Sequence, residues 1–200
     1  MGNRLNSEEI IGKTLDAIIH SHELYLEFSG NEWLWNAPEY LITVKIAEFL
    51  HSIEKNKFIT LEDSVDYILK EANAHSRKKI RHGRFDIVLW WAKGDPRAII
   101  EVKNGVHQFR NIEEDIERVE KVLTRKEDDS SIKFGLIAFY VSKHYKNNTD
   151  EKINNLIENL YFQTQEKIPK LKVSKYYKIV YDKENEPNDI FAAVVFKIQR

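Results

Sequence analysis

Apolar residues recur at helical spacing through the first third of the chain and then give way to the runs and alternation of strands. Residues 7–28 read as a first helix, with Ser7 as its N-cap ahead of Glu8 and Glu9. Residues 38–54 read as a second. Pro38 suits its first turn, and Leu41, Val44, Ile46, Ala47, Phe49, Leu50 and Ile53 give it a broad apolar surface. Thr60 is placed to cap a third helix running to about Asn73, with Glu62 and Asp63 meeting its positive end.

From residue 84 the pattern changes. Residues 84–92 (RFDIVLWWA) are rich in β-branched and aromatic side chains, Lys93-Gly94-Asp95-Pro96 is a turn, and residues 97–103 (RAIIEVK) complete a hairpin. Residues 109–125 form an amphipathic helix with Ile112, Ile116, Val119, Val122 and Leu123 on one face. The next strand, 132–142, is so apolar that it should be buried on both sides. A helix over 150–167 and strands over 174–181 and 190–198 finish the chain. This order predicts an α/β fold with a central mixed sheet flanked by helices. We expect one domain over residues 1–200: a mainly helical part to residue 75, an α/β part over 76–200, and a hairpin at 84–103.

Composition narrows the function. The hydrophobic share is 42% and the charged share 32%, which suits a soluble globular protein. The absence of cysteine removes disulfides and thiolate–zinc sites. The start of the chain is polar and lacks a signal peptide's apolar core, and no apolar run is long enough to span a bilayer, so a cytoplasmic protein without a membrane partner is expected. The net charge of −1 means that any binding of nucleic acid must come from local basic patches. Gly12-Lys13-Thr14 resembles the end of a phosphate-binding loop, but Ser7 stands where the first glycine belongs and Glu8 and Glu9 would repel phosphate. The segment 158–163 (ENLYFQ) spells a protease-cleavage tag. It continues a helical pattern on both sides and is read as native sequence.

The hairpin carries the chemistry. Alternation puts Ile99, Glu101 and Lys103 on one face of the second strand, and Asp86 on the same face as Val88 and Trp90 of the first. A turn centred on Gly94-Asp95 with an even number of residues sets Asp86 opposite Lys103, with Glu101 as diagonal neighbour. Two carboxylates that close among Ile, Val and Trp repel one another, so one takes up a proton or a cation joins them. Oxygen ligands alone select Mg²⁺ or Mn²⁺ over zinc. Lys103 supplies a compact cation beside a phosphate.

Asp86, a hairpin turn and then Glu101-Val102-Lys103 resemble the D…(D/E)-x-K signature of the PD-(D/E)xK, or restriction-endonuclease-like, nuclease superfamily. The likeness covers roughly residues 36–142. Phe85 stands where the name has proline, a position at which the superfamily is loose, and Asn104 after the lysine resembles several of its branches. The resemblance implies a restriction-endonuclease-like fold with an N-terminal helical elaboration, and a Mg²⁺-dependent nuclease, with Mn²⁺ able to substitute. It implies that Asp86, Glu101 and the Val102 backbone carbonyl bind the metal, and that Lys103 assists the nucleophile. Many members add a Glu from the helix before the hairpin, and Glu39 in Pro38-Glu39-Tyr40 is the candidate. DNA is the substrate it implies, and a homodimer would suit cutting of both strands.

Blander readings stand beside these. Asp86, Glu101 and Lys103 could be a cross-strand salt bridge on a wet sheet face, although Ile99, Val88 and Trp90 on that face argue for burial. Glu39 could simply meet a helix dipole. The run 77–84 holds Lys78, Lys79, Arg81 and Arg84, cations able to contact phosphates or to serve only as a solvated loop. Lys170, Lys172, Lys175 and Lys178 form a weaker basic stretch. Gln108, Asp115 and Arg118 could line the cleft, although helix surfaces commonly look like this, and Trp33, Trp35, Trp90 and Trp91 read as core or interface rather than as base-stacking platforms. A non-catalytic nucleic-acid-binding or assembly module of the same fold, and a purely structural domain, are the alternative functions.

Overall fold

A computed structural model describes residues 6–53, 58–74, 83–125, 129–144, 149–181 and 189–200; of residues 144 and 189 it describes the backbone alone. Lys78, Lys79 and Arg81 lie outside these residues. Six strands build one mixed sheet in the order β1-β2-β3-β4-β6-β5. They are β1 (Ile59–Ser64), β2 (Arg84–Trp90), β3 (Pro96–Lys103), β4 (Phe134–His144), β5 (Lys172–Tyr181) and β6 (Asp189–Gln199). Among the described strands only β3 and β4 run parallel, and the helix α4 (Glu113–Leu123) lies between them in sequence.

Helices cover both faces, as the pattern predicted. On one, α1 (Ser7–Ser29) and α2 (Glu39–Ile53) pack Ile11, Leu15, Ile18, Ile42 and Ile46 against Ile87, Leu89, Ile100, Val102 and Tyr140. On the other, α3 (Val65–Glu71), α4 and α5 (Thr149–Lys167) cover Val88, Ile99, Ile137, Phe139 and Val194. Burial of β4 from Phe134 to Ser142 follows from helices on both sides. Gly135 lets α4 approach, because a Cβ there would lie 2.5 Å from Val119 Cγ1. Leu160, inside the tag-like segment, is buried in the core and Glu158 pairs with Lys175. Among the described residues no helix is long and apolar enough to cross a membrane.

Three local expectations need correction. Asn6, not Ser7, caps α1, its side chain accepting the Glu8 N–H. Residues 59–64 are a strand rather than the start of a helix, and α3 begins only at Val65 under a Ser64 cap. The open edge of β2 outweighs local helix preference: Ile59–Leu61 pair with Leu89–Ile87, and the Thr60 hydroxyl accepts the Trp90 indole N–H at 2.8 Å. The hairpin register also differs. An irregularity at Leu89/Trp90 leaves Ile87 paired with Ile100 and Val88 with Ile99, a register that points Asp86 toward Glu101 and not Lys103; the pairing ends there, and Asp86 meets β3 through its side chain on the Val102 N–H. The displacement is two residues, an even number, so Val88 and Trp90 keep the face of Ile99, while Phe85 joins them instead of Ile87 and Leu89.

Candidate active site

The candidate residues gather at the carboxyl end of β3, between the first turn of α2 and one side of α4. β3 presents Glu101 and Lys103 there by exchanging apolar positions of one face for polar ones, and β2 ends its pairing with β3 at Ile87, leaving Asp86 to bind the Val102 N–H. Asp86 Oδ2 accepts the N–H of Val102 at 2.7 Å, fastening the first acid to the backbone between the other two motif residues. Glu101 is fully buried (0% exposed). Lys103 is part-buried, and its Nζ lies 3.2 Å from Glu39 Oε1 and 3.3 Å from Asp115 Oδ2.

Glu39 therefore joins the cluster. Its Oε1 faces Lys103, and its Oε2 accepts the Asn104 N–H at 3.0 Å. Asn104 completes the tie between β3 and the segment before α2: its amide nitrogen donates to the carbonyls of Leu34 at 2.7 Å and Ala37 at 2.9 Å. A first-turn acid was equally consistent with a helix dipole. Its reach to the end of β3 is a tertiary fact.

Asp115 and Arg118 belong to the site as well. They are three apart on α4 and so share one side of the helix. Arg118 donates to Glu101 Oε1 at 2.6 Å, lies 3.3 Å from Asp115 Oδ1, and donates to the Arg84 carbonyl at 3.2 Å. The sequence signal was an acid next to the apolar stripe of Ile116 and Val119. Asp115 is 4% exposed, which a solvated helix acid would not be. Gln108 instead caps the short turn Phe109–Asn111. Arg84, at the exposed start of β2, stands near the site through that carbonyl, its side chain free to meet solvent. In the second basic stretch Lys175 pairs with Glu158 and Lys178 with Asp16.

Four carboxylates (Glu39, Asp86, Glu101, Asp115) thus meet two cations (Lys103, Arg118) in a part-buried place. Burial pushes the Glu101 pKa well above the ordinary value, with Arg118 opposing and Asp86 and Asp115 adding to the rise. Asp86 is raised by burial, against the Val102 N–H and Lys103, and Asp115 by burial, against Lys103 and Arg118. Burial works against charge on Lys103 too, but Asp115, Glu39 and Asp86 outweigh it and its pKa rises. Lys103 is therefore an ammonium at neutral pH. Glu101 Oε2 is buried without a hydrogen-bond partner among the described residues. A carboxylate oxygen sealed from water and left unbonded is costly unless a proton or a cation reaches it.

Those observations suit a hard divalent cation. Mg²⁺ is commonly held by one or two carboxylates, with waters and substrate oxygens completing its shell. Asp86 and Glu101 offer that pair. No cluster of three or more His, Asp or Glu side chains able to hold a metal on their own is found among the described residues. Comparison with protein-family models, with curated proteins and with solved structures finds no match to this chain.

Proposed function

We propose that the chain is a Mg²⁺-dependent nuclease that hydrolyses phosphodiester bonds, with DNA as the substrate and Mn²⁺ able to replace Mg²⁺. The observation that carries this reading is the gathering of four acids, buried or part-buried, against two cations around Glu101, one of whose oxygens is buried without a hydrogen-bond partner among the described residues. The mixed sheet supports the restriction-endonuclease-like comparison: the motif lies on an antiparallel pair, and β3 continues through α4 to a parallel β4.

In this reading Asp86 and Glu101 hold the cation, with the Val102 carbonyl, and Glu39 is close enough to Lys103 to share its orientation. A bound divalent cation supplies a lowered pKa for water and neutralises charge on the phosphate. The remaining work falls to the protein. Lys103, held charged by three acids, offers its ammonium to the phosphate oxygens or orients the attacking water. Asp115 and Glu39 fix the lysine's position from two sides, which reduces the freedom it would lose on binding. Arg84, exposed at the start of β2, supplies a contact to a neighbouring phosphate.

One observation favours the second reading, a non-catalytic nucleic-acid-binding or assembly module: Arg118 already neutralises part of the Glu101 charge. Incubation of plasmid and oligonucleotides with Mg²⁺ or Mn²⁺ separates the two. Wild type cuts, and Lys103→Ala cuts about 100-fold more slowly or worse, in the range expected for removing one transition-state cation. Equal behaviour of both proteins overturns the nuclease. Salt-sensitive retention of uncut nucleic acid would then favour the binding module.

A further inference from the structure

Beside the acidic cluster stands an aromatic pair that the chemistry above does not use. Trp35 is 45% exposed, a large apolar surface to leave in water. Its ring stacks on that of Trp33 with centroids 5.3 Å apart and planes inclined by 26°. Trp33 is itself anchored, edge-on to His22 at 5.2 Å and packed against the core near Phe191. The indole of Trp35 is therefore backed by a second ring, and its exposed surface is held in place.

The position matters as much as the exposure. The Trp35 Cβ would lie 3.7 Å from a Cβ built on Gly105, two residues beyond Lys103. Asn104 binds the carbonyls of Leu34 and Ala37, on either side of Trp35, while its N–H binds Glu39. The same residue thus positions the tryptophan segment and an acid of the site. Tyr40, 51% exposed, follows Glu39 in the first turn of α2.

We propose that Trp35, backed by Trp33, is a stacking platform for an unpaired nucleobase next to the phosphate held at Lys103, so that the chain takes single-stranded or locally unpaired nucleic acid. This rests on the nuclease reading. A base is one sugar away from its phosphate, and its π-face is open in a single strand but covered by neighbours in a duplex. An indole accepts any base, because every base has a π-face. Extruded bases would be accepted for the same reason.

The test is binding of fluorescently labelled single-stranded and duplex 12-mers to the full chain, with Ca²⁺ replacing Mg²⁺ to slow cleavage. Trp35→Ala weakens single-strand binding about five- to hundredfold, the range seen when one base-stacking aromatic is removed. Trp35→Phe recovers most of the loss, duplex binding changes less than twofold, and Phe162→Ala, an exposed aromatic on α5, changes neither. Tryptophan emission of wild type is quenched by the single strand, and that quenching is largely lost in Trp35→Phe, a variant that keeps the ring packing. Wild-type Mg²⁺ cleavage is measured alongside. If the chain cuts but Trp35→Ala and Trp35→Phe bind and quench as wild type, the platform is wrong and the nuclease stands. If wild type neither binds nor cuts any of these substrates, both readings fall. If Trp35→Ala only abolishes self-association in sedimentation, the aromatic pair is a protein interface and the proposal is overturned.

Discussion

Replacing Arg118 with leucine tests how the buried acids are kept. Arg118 donates to Glu101 Oε1 at 2.6 Å and sits 3.3 Å from Asp115, and Glu101 has no exposed surface. Removing one partner of a fully buried ion pair costs about 3–5 kcal/mol, because the other charge is stranded. Two features lower that here. The Arg118 side chain keeps 24% of its surface in water, so part of the pair's energy is screened. Glu101, already raised well above its ordinary pKa by burial, escapes by taking up a proton. A loss of about 2–3 kcal/mol follows, and at about 2–4 °C per kcal/mol for a chain of this size the Tm falls by about 4–12 °C. The assay is thermal unfolding by circular dichroism in EDTA at pH 8, repeated at pH 5. The deficit is larger at pH 8, where the stranded acid must give up its proton or remain costly. Mg²⁺ supplies the missing positive charge, so millimolar Mg²⁺ raises the Tm of Arg118→Leu more than that of wild type, where the guanidinium competes for Glu101. A ligand at a hundred times its Kd adds about 2.7 kcal/mol, enough to recover most of the loss. Equal Tm for the two proteins in EDTA at pH 8, or a Mg²⁺ shift no larger in the variant, refutes the reasoning.

Stability should also fall with rising pH when divalent metal is withheld. Burial raises the pKa of Glu101 and also those of Asp86 and Asp115, so each acid's contribution is fully present below its unfolded pKa and is lost as pH climbs through the raised folded pKa. The decline attributable to Glu101 begins above its ordinary value of 4.5, and Glu101→Gln removes it, seen as a flatter pH series of urea unfolding curves; an unchanged slope means Glu101 does not titrate in that window. Asn104→Ala frees the carbonyls of Leu34 and Ala37 and loosens Glu39, with an expected loss of about 1–3 kcal/mol in urea unfolding and weaker cleavage through misplaced Lys103; wild-type values for both would show that Asn104 ties nothing together. Gly135→Ala forces a methyl against Val119 and costs about 1–3 kcal/mol, while adding Val119→Ala restores part of it; if the double variant is no better than the sum of the single changes, the contact between α4 and β4 is not the cause.

Much of the site was legible because strand alternation is local. Glu101 and Lys103 share a face whatever the pairing, and Val88 and Trp90 keep the face of Ile99 because the register moved by an even number of residues. The doubly buried β4 and the amphipathic α4 were equally plain, since each is written in the spacing of its own apolar residues. Glu39 came from likeness to a family motif, and its helix alone would not have singled it out. Sequence left unread whatever depends on distant partners. The strand at Ile59–Ser64 exists because β2 offers an edge to pair with. The Leu89/Trp90 irregularity pointed Asp86 toward Glu101 and left Lys103 to Glu39 and Asp115. Asp115 and Arg118 were candidates to line the cleft, but their partners, Lys103 for the one and Glu101 for the other, were set only when α4 came close over Gly135. Periodicity along one element determines which way a side chain points. Which charges it meets, and how far water is excluded from them, is decided by packing between elements far apart in the chain.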